Sequence, residues 1–206
     1  MIDTENAMLL QNKRIDYKIL ADACAFYTNR EYNQVECPWI AKEKYMIMTS
    51  PTKDVGFAIG LQCKPWYLVC SAEQGLVQMA CNNELLSGIK YFSISPCFRD
   101  EIIDETHSKT FMKLELFHIS RTHAGAEAVA SRFLADAFDF NRRHKIKTTQ
   151  EQTNIGFDLL DQHGLELGSY GTRAIEGFFI SYGTGLALPR FSLAKERTGG
   201  LPQSKH

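Results

Sequence analysis

Residues 91 to 117 read YFSISPCFRDEIIDETHSKTFMKLELF, two apolar runs held apart by about eleven mostly polar residues. Tyr91 to Phe98 and Thr110 to Ile119 carry the aromatic and branched residues that suit a pleated, half-buried surface. Two such runs joined by one polar connection predict an antiparallel pair with a long loop. A pair of this length cannot bury its apolar face alone, so it requires more strands beside it and helices against it. Side chains two apart in a strand share a face, so Arg99 and Glu101 project together beside the loop.

The rest of the chain supplies those helices and strands. Leu9, Ile15, Ile19, Leu20, Ala23 and Phe26 recur near helical spacing, which predicts a helix from about Asn6 to Asn29. Tyr32 to Trp39 reads as short and extended, ended or placed at an edge by Pro38. Trp66 to Cys70 is a strand candidate, and Ser71 caps a helix over SAEQGLVQMACNNELL. The plainest helix starts near Ala126, AEAVASRFLADAFDFNRRHKI, with Ala and Phe on one face and basic residues at its end. Phe157 to Leu160, Leu165 to Gly168 and Ala174 to Ile180 read as short strands, and GTGLALPRFSLA as a glycine-containing bend entering a helix. Helices and strands are mixed without strict alternation. The fold class expected is therefore α+β, an antiparallel sheet flanked by helices, rather than a doubly wound fold.

Composition narrows the setting. The 206 residues, 44% apolar and 23% charged, suit one sizeable core, and the net charge of −1 provides no global field for nucleic acid or an anionic membrane. A local basic patch is still compatible with that balance. The start, MIDTENAMLL, lacks the pattern of a signal peptide, and no apolar run approaches the ~18 residues of a membrane span. Cysteines 24, 37, 63, 70, 81 and 97 form no CxxC pair. A reduced cytoplasmic protein is the expectation, as one domain over residues 1–206 with a loose tail from about residue 196.

Taken singly, the polar residues admit bland readings. Arg99 and Glu101 suit a surface ion pair, or Arg99 suits a fork for phosphate or carboxylate. Phe111 suits the core or a flat ring for a base. Gly183 and Gly185 allow close backbone approach before Arg190, and equally an ordinary turn before a helix with a surface arginine. Asp158 and Glu166 lie on neighbouring strand candidates, where two carboxylates can hold magnesium together with phosphate oxygens, or stand apart in solvent. Gly168, Ser169 and Gly171 before Arg173 suit a pocket floor or an edge bend. The histidines form no HxxxH or HExxH set.

The order of these segments is more specific than any one of them. Over about residues 20 to 195 the chain resembles the catalytic domain of class II aminoacyl-tRNA synthetases, which carries three motifs in fixed order. A helix and strand ending in proline matches FYTNREYNQVECPWI with Pro38. An arginine strand, loop and return strand matches FRDE followed by DETHSKTFMKLE. A glycine-rich strand leading to an arginine helix matches YGTGLALPR. The spacing of the second motif looks like the phenylalanyl and pyrrolysyl enzymes, while GLELGSYGTR looks like the aspartyl and asparaginyl ones. The chain departs from the pattern at Glu73, where those enzymes have glutamine, and at Ala187 and Pro189, where glycine and an acidic residue are usual.

The resemblance implies an ATP-dependent ligase that activates an amino acid as an aminoacyl-adenylate, with ATP and Mg2+. It implies that Arg99 binds the ATP α-phosphate and the amino-acid carboxylate, with Arg190 as the second catalytic cation. Glu101 accepts from the adenine amino group, Phe111 stacks on adenine, and Arg190 covers its other face or reaches the γ-phosphate. His107 reaches the β- or γ-phosphate, and Gly183 and Gly185 border the nucleotide. Ser71, Glu73, Glu115 and Arg173 fall at amino-acid-binding positions. Asp158 and Glu166 match the acidic positions that hold magnesium and ATP. The expected assembly is a homodimer through the first motif, in a minimal form without an anticodon-binding domain. The tRNA affinity expected is weak, resting on Arg142, Arg143, His144, Lys145 and Lys147 at the end of the long helix. The rival expectations are a tRNA-independent paralogue, related to asparagine synthetase or passing the aminoacyl group elsewhere, and an inactive regulatory paralogue.

Overall fold

A computed structural model describes residues 15–49, 58–61, 64–100, 104 and 106–198. In chain order they form α1 (Tyr17–Thr28), β1 (Asn33–Gln34), β2 (Ile40–Lys42), α2 (Glu43–Thr49), β3 (Ala58–Leu61), β4 (Lys64–Leu68), α3 (Ala72–Cys81), β5 (Lys90–Phe98) and β6 (Thr110–Ser120). Then follow α4 (His123–Arg143), β7 (Thr148–Thr153), β8 (Gly156–Asp161), β9 (Glu166–Ile175), β10 (Phe178–Ala187) and α5 (Arg190–Thr198). Seven strands make the main sheet in the order β1-β5-β6-β10-β9-β8-β7, and β2-β4-β3 make a second, small one. Among the described residues only the β1–β5 pair is parallel. The expected antiparallel pair is β5 with β6, in a register that sets Ser93 against Glu115 and Cys97 against Phe111.

The two-residue period of these strands separates two cores. Phe92, Leu114 and Leu116 point to the side where α1 and α4 pack, joining Phe26, Phe133 and Phe140. Tyr91, Phe117 and Ile119 point to the other side and join Leu76 and Val77 of α3. Burying one such Phe or Leu stabilises the fold by roughly 1.5–3 kcal/mol, so packing on both faces holds the sheet between helices. Beyond the second core the front face of β5, β6, β9 and β10 is left for a cleft. The start of α3 is fixed there by a capping box: the Ser71 hydroxyl accepts from Glu73 N at 3.2 Å and Gln74 Oε1 accepts from Ser71 N at 2.8 Å.

Several expectations change. Gly183 and Gly185 stand inside β10 and not in a bend: Gly183 pairs with Leu116 and Tyr170, and Gly185 falls at the bulge between Thr184 and Leu186. Ala174 to Ile180 is a hairpin, not one strand: β9 ends at Ile175 and Gly177, at φ 85°, makes the turn to β10. Leu165 to Gly168 opens into the single strand β9, which runs on through Ser169 and Gly171. The polar edge strand β7, TTQEQT, shows no apolar alternation and escapes sequence reading. The short β2, α2 and β3 were likewise not expected. The first helix is capped by Asp16, and its expected start near Asn6 lies outside the described residues. The last helix continues to Thr198, into the tail that composition marks as loose. No helix among the described residues is long and apolar enough to cross a membrane.

Two histidines link this packing to pH. His144 ends α4 with its ring 4.8 Å from Phe140 and 5.2 Å from Phe191, and its Nε2 lies 2.9 Å from Asp22 Oδ2. Burial lowers its pKa, and Asp22 only partly offsets that. Burial and the Lys90 cation lower His118 in the same direction. The unfolded chain then binds more protons as pH falls through about 6.5, so these groups contribute less stability below that value. Buried Glu73, whose carboxyl is raised, titrates with the opposite sign, so the difference between variants is the useful quantity. Urea midpoints of His118→Gln are expected to fall less than those of the wild type between pH 7.5 and 5.5. Parallel midpoints would show that His118 carries no such linkage.

Candidate active-site cleft

Arg99 immediately follows β5. Its backbone N donates to Lys109 O at 2.9 Å, closing the base of the long loop. Its Nε donates to Cys70 O at 3.2 Å, which ties the guanidinium to the residue before the α3 cap. The ring of Phe111, at the start of β6, lies 5.2 Å from Arg99 Cζ. The two residues thus form one cation–aromatic unit, a contact that strengthens when water is excluded. Glu101, expected beside Arg99, lies outside the described residues.

The loop returns through an Asp104-centred turn. Asp104 Oδ1 accepts from Thr106 N at 2.6 Å, His107 N at 2.7 Å and Thr106 Oγ1 at 2.9 Å, and Oδ2 lies 2.8 Å from His107 Nδ1. These bonds, led by that from the Thr106 backbone, hold the Asp104 carboxyl well below the usual carboxylate range. The carbonyl of Thr106 then accepts from Arg190 Nε at 3.3 Å. Arg190 Nη1 also donates to Glu166 O at 3.4 Å and stands 3.3 Å from Glu166 Oε1. Arg190 is therefore fastened between the loop and β9, despite the Ala187 and Pro189 departures.

These elements enclose a cleft of about 590 Å³ walled by Arg99, Thr106, His107, Phe111, Lys113, Glu166, Ser169, Thr184 and Arg190, among others. Its floor departs from expectation. A Cβ on Gly183 would meet Tyr170 Cδ1 at 2.6 Å, and one on Gly185 would meet Leu114 Cδ2 at 2.4 Å and Tyr27 Cε2 at 2.9 Å. Both glycines face the core behind β10 and leave room for its aromatic packing. The residue between them, Thr184, faces the cleft. Gly168 and Ser169, read as a pocket floor or an edge bend, do line the cleft. Lys113 and Thr184 were missed in the sequence, though the two-residue period from Phe111 through Lys113 to Glu115 points to Lys113.

Beside the cleft lies a buried charge cluster. Glu73, 6% exposed, accepts from Arg173 Nε at 2.8 Å. The Arg173 guanidinium carbon sits 4.6 Å from the Tyr182 ring centre. Glu115, 1% exposed, has Lys113 Nζ 2.8 Å from its Oε2. Burial raises the Glu73 carboxyl, Arg173 opposes this, and Glu115 adds repulsion. Burial of the Tyr182 hydroxyl pushes it up to about 12. Glu73 and Arg173, assigned separately to the amino acid, thus hold each other, while the Ser71 hydroxyl is engaged as a helix cap.

The two expected magnesium carboxylates are brought near one another but differ in position. Glu166 borders the cleft with its side chain 44% exposed. Asp158 stands opposite Ser169 across β8 and β9 and is raised by burial, with Glu166 adding repulsion and Ser169 opposing. No group of three or more His, Cys, Asp or Glu able to hold a metal exists among the described residues.

A family model described as tRNA synthetases class II (D, K and N) matches residues 1–174. Seryl-tRNA synthetase from Pyrococcus horikoshii, solved with ATP, superposes at a TM-score of 0.73 with 18% identity over 87% of this chain and 50% of that one. The cytoplasmic serine-tRNA ligase of Naegleria fowleri, solved with AMP, gives 0.72 and 17% over 98% and 50%. A pyrrolysyl-tRNA synthetase from Desulfitobacterium hafniense gives 0.68 and 17% over 95% and 74%. The chain thus spans about half the length of the two seryl structures. No curated protein sequence matches it. At these identities the likeness concerns the fold.

Proposed function

The chain belongs to the class II tRNA synthetases, and on that premise we propose that it activates an amino acid with ATP. A carboxylate oxygen of the amino acid attacks the α-phosphorus. The bond to the bridging oxygen breaks, and pyrophosphate leaves with an aminoacyl-adenylate remaining. The observation that carries this reading is the Arg99–Phe111 unit facing the same cleft as Arg190. A flat ring suits adenine, and two fixed cations suit phosphates whose charge shifts during transfer. Arg99 orients the carboxylate and the α-phosphate, and Arg190 and His107 take the more distal oxygens. Glu101 is the partner proposed for the adenine amino group. No protein nucleophile is needed, because alignment and fixed charge lower the barrier.

Glu73 and Glu115 are the proposed partners of the amino-acid ammonium group, with Arg173 and Ser71 shaping the same region. Magnesium suits Glu166, because that ion is held by one or two carboxylates together with phosphate oxygens. Asp158 would support Glu166 from behind. Bound there, the ion would neutralise phosphate charge. The free thiols of Cys24, Cys37, Cys81 and Cys97 suit a reducing cytoplasmic setting. Amino-acid-dependent pyrophosphate exchange across the standard amino acids tests the reading. Exchange with one or a few is expected, and none with any would remove it.

The acceptor is where a second reading gains support. In the basic cluster at the end of α4, Arg142 pairs with Asp139 at 2.7 Å, and Asp22 takes Arg143 and His144, each at 2.9 Å. Cations already paired in this way release fewer counterions from a polynucleotide. This favours weak tRNA binding by the chain alone, or a different acceptor as in tRNA-independent paralogues. Sedimentation at micromolar concentration reads both assembly and acceptor. Pro38 and α1 support a two-chain species, and added tRNA is expected to shift it at low salt but not near physiological salt. A lone chain, or a shift that persists at physiological salt, would overturn the respective part.

A further inference from the structure

Two buried carboxylates stand beside the cleft, and each already has a cation. The two pairs are not equivalent. Glu73 is clamped by Arg173, a planar group that also leans on the Tyr182 ring. Glu115 is held by Lys113, a compact ammonium on a flexible stem. Lys113 Nζ donates to Glu115 Oε1 at 3.1 Å. It also stands 2.8 Å from Oε2, a buried oxygen with no hydrogen-bond partner. That carboxylate therefore keeps acceptor capacity for a further donor.

Lys113 lines the cleft, whereas Glu115 is buried behind it. A ligand in the cleft reaches that carboxylate only where Lys113 gives way. Phe111, Lys113 and Glu115 share one face of β6, each about 6.6 Å from the next. Lys113 thus stands midway between the ring proposed for adenine and a carboxylate proposed for the amino-acid ammonium. That midpoint is where the amino-acid carboxylate would meet the α-phosphate. The Lys113 ammonium and an amino acid's α-ammonium are also alike in chemistry. Each is a compact cation with three N–H donors and no acceptor, so Glu115 can hold either.

We infer that Lys113 is a third catalytic cation, held on Glu115 in the place that the substrate's ammonium group takes. An arriving amino acid gives Glu115 its own ammonium, so the buried carboxylate is never left uncompensated. Lys113 is released by that exchange and turns to the carboxylate and α-phosphate oxygens. No proton changes hands, because one ammonium replaces another. The amino acid thereby completes the charges needed for its own activation, which ATP alone does not. The inference rests on the adenylate-forming reading above and adds one residue to it.

The test is pyrophosphate exchange with an equimolar mixture of the standard amino acids, titrated for the wild type, Lys113→Met and Lys113→Arg. Lys113→Met is expected to lower the maximal rate about a hundredfold, as for loss of one donor at the reacting oxygens. Its half-saturating concentration is expected to fall about tenfold, because no internal ammonium competes for Glu115. Lys113→Arg keeps the buried pair, and with it the fold, but forks onto both carboxylate oxygens. Its half-saturating concentration is expected to rise. A Lys113→Met variant with the wild-type maximal rate overturns the catalytic role and leaves adenylate formation standing. An equal or higher half-saturating concentration in Lys113→Met overturns the exchange of ammonium groups, because Lys113 would then only hold Glu115 in position. Should Lys113→Met not fold, Lys113→Arg decides alone, and half-saturation at or below the wild-type value overturns the inference. A wild type that shows no exchange overturns both readings.

Discussion

Arg99→Ala is expected to cut amino-acid-dependent pyrophosphate exchange by a hundredfold or more while the chain stays folded. Its guanidinium leans on Phe111 and donates to Cys70 O, so its position is fixed before any substrate arrives. A cation fixed in this way does no reorganising when charge moves onto the bridging oxygen, and such donors contribute several kcal/mol, about 10²–10³ in rate. Arg99→Lys is a sharper control, since an ammonium cannot fork between carboxylate and phosphate. Arg99 is not part of either hydrophobic core, so the far-ultraviolet dichroism of both variants should match the wild type. Exchange at the wild-type rate in the alanine variant would remove the role assigned to Arg99.

The largest stability effect is expected at Asp136→Ala. Asp136, on α4, has its side chain 2% exposed. It accepts from Arg30 Nε at 3.1 Å, Tyr32 Oη at 2.7 Å and Arg132 Nε at 3.2 Å. These three bonds hold the end of α1 and the approach to β1 against the long helix. Removing the carboxylate leaves a buried tyrosine hydroxyl without its acceptor and takes from Arg30 one of its two carboxylates, Asp139 remaining at 2.9 Å, at a cost of about 3 kcal/mol. That is a large share of a typical stability of roughly 5–15 kcal/mol. Tyr32→Phe removes one donor and leaves two, and should cost only about 1 kcal/mol. Urea unfolding of both variants measures the contrast. Similar losses would mean that Asp136 acts through Tyr32 alone.

The β5–β6 pair, the Ser71 cap and α4 were legible because each rests on a local rule: alternation, a hydroxyl before a helix, and 3.6-residue periodicity. The nearness of Arg99 and Phe111 follows from the spacing of strand, loop and return strand, whereas Arg190 meeting them in one cleft was implied only by the family resemblance. What stayed hidden depends on distant partners. Nothing near Glu73 in the sequence announces that Arg173, one hundred residues later, will neutralise it. The strand β7 carries six residues without an apolar repeat because its outer neighbour is solvent. Gly183 and Gly185 were read as a bend because glycine usually marks one. Their actual cause is two aromatic rings, from Tyr170 and Tyr27, brought beneath them by other segments.

Those glycines also set the terms on which this site can evolve. Behind β10, Tyr27 Oη donates to Gly185 O at 3.0 Å, and Tyr170 Oη donates to Thr184 O. The floor of the cleft is thus pinned from the rear by side chains that never meet a ligand. Any added bulk on that side must displace a buried ring before it alters the nucleotide, whereas changes at Thr184 or Ala187 alter the ligand's surroundings directly. Adaptation to a new substrate is therefore confined to the cleft-facing positions of this strand, which the bulge at Gly185 sets three apart at Thr184 and Ala187. The intervening ones form an inherited chassis, whose tolerance is decided by the opposite layer of the molecule.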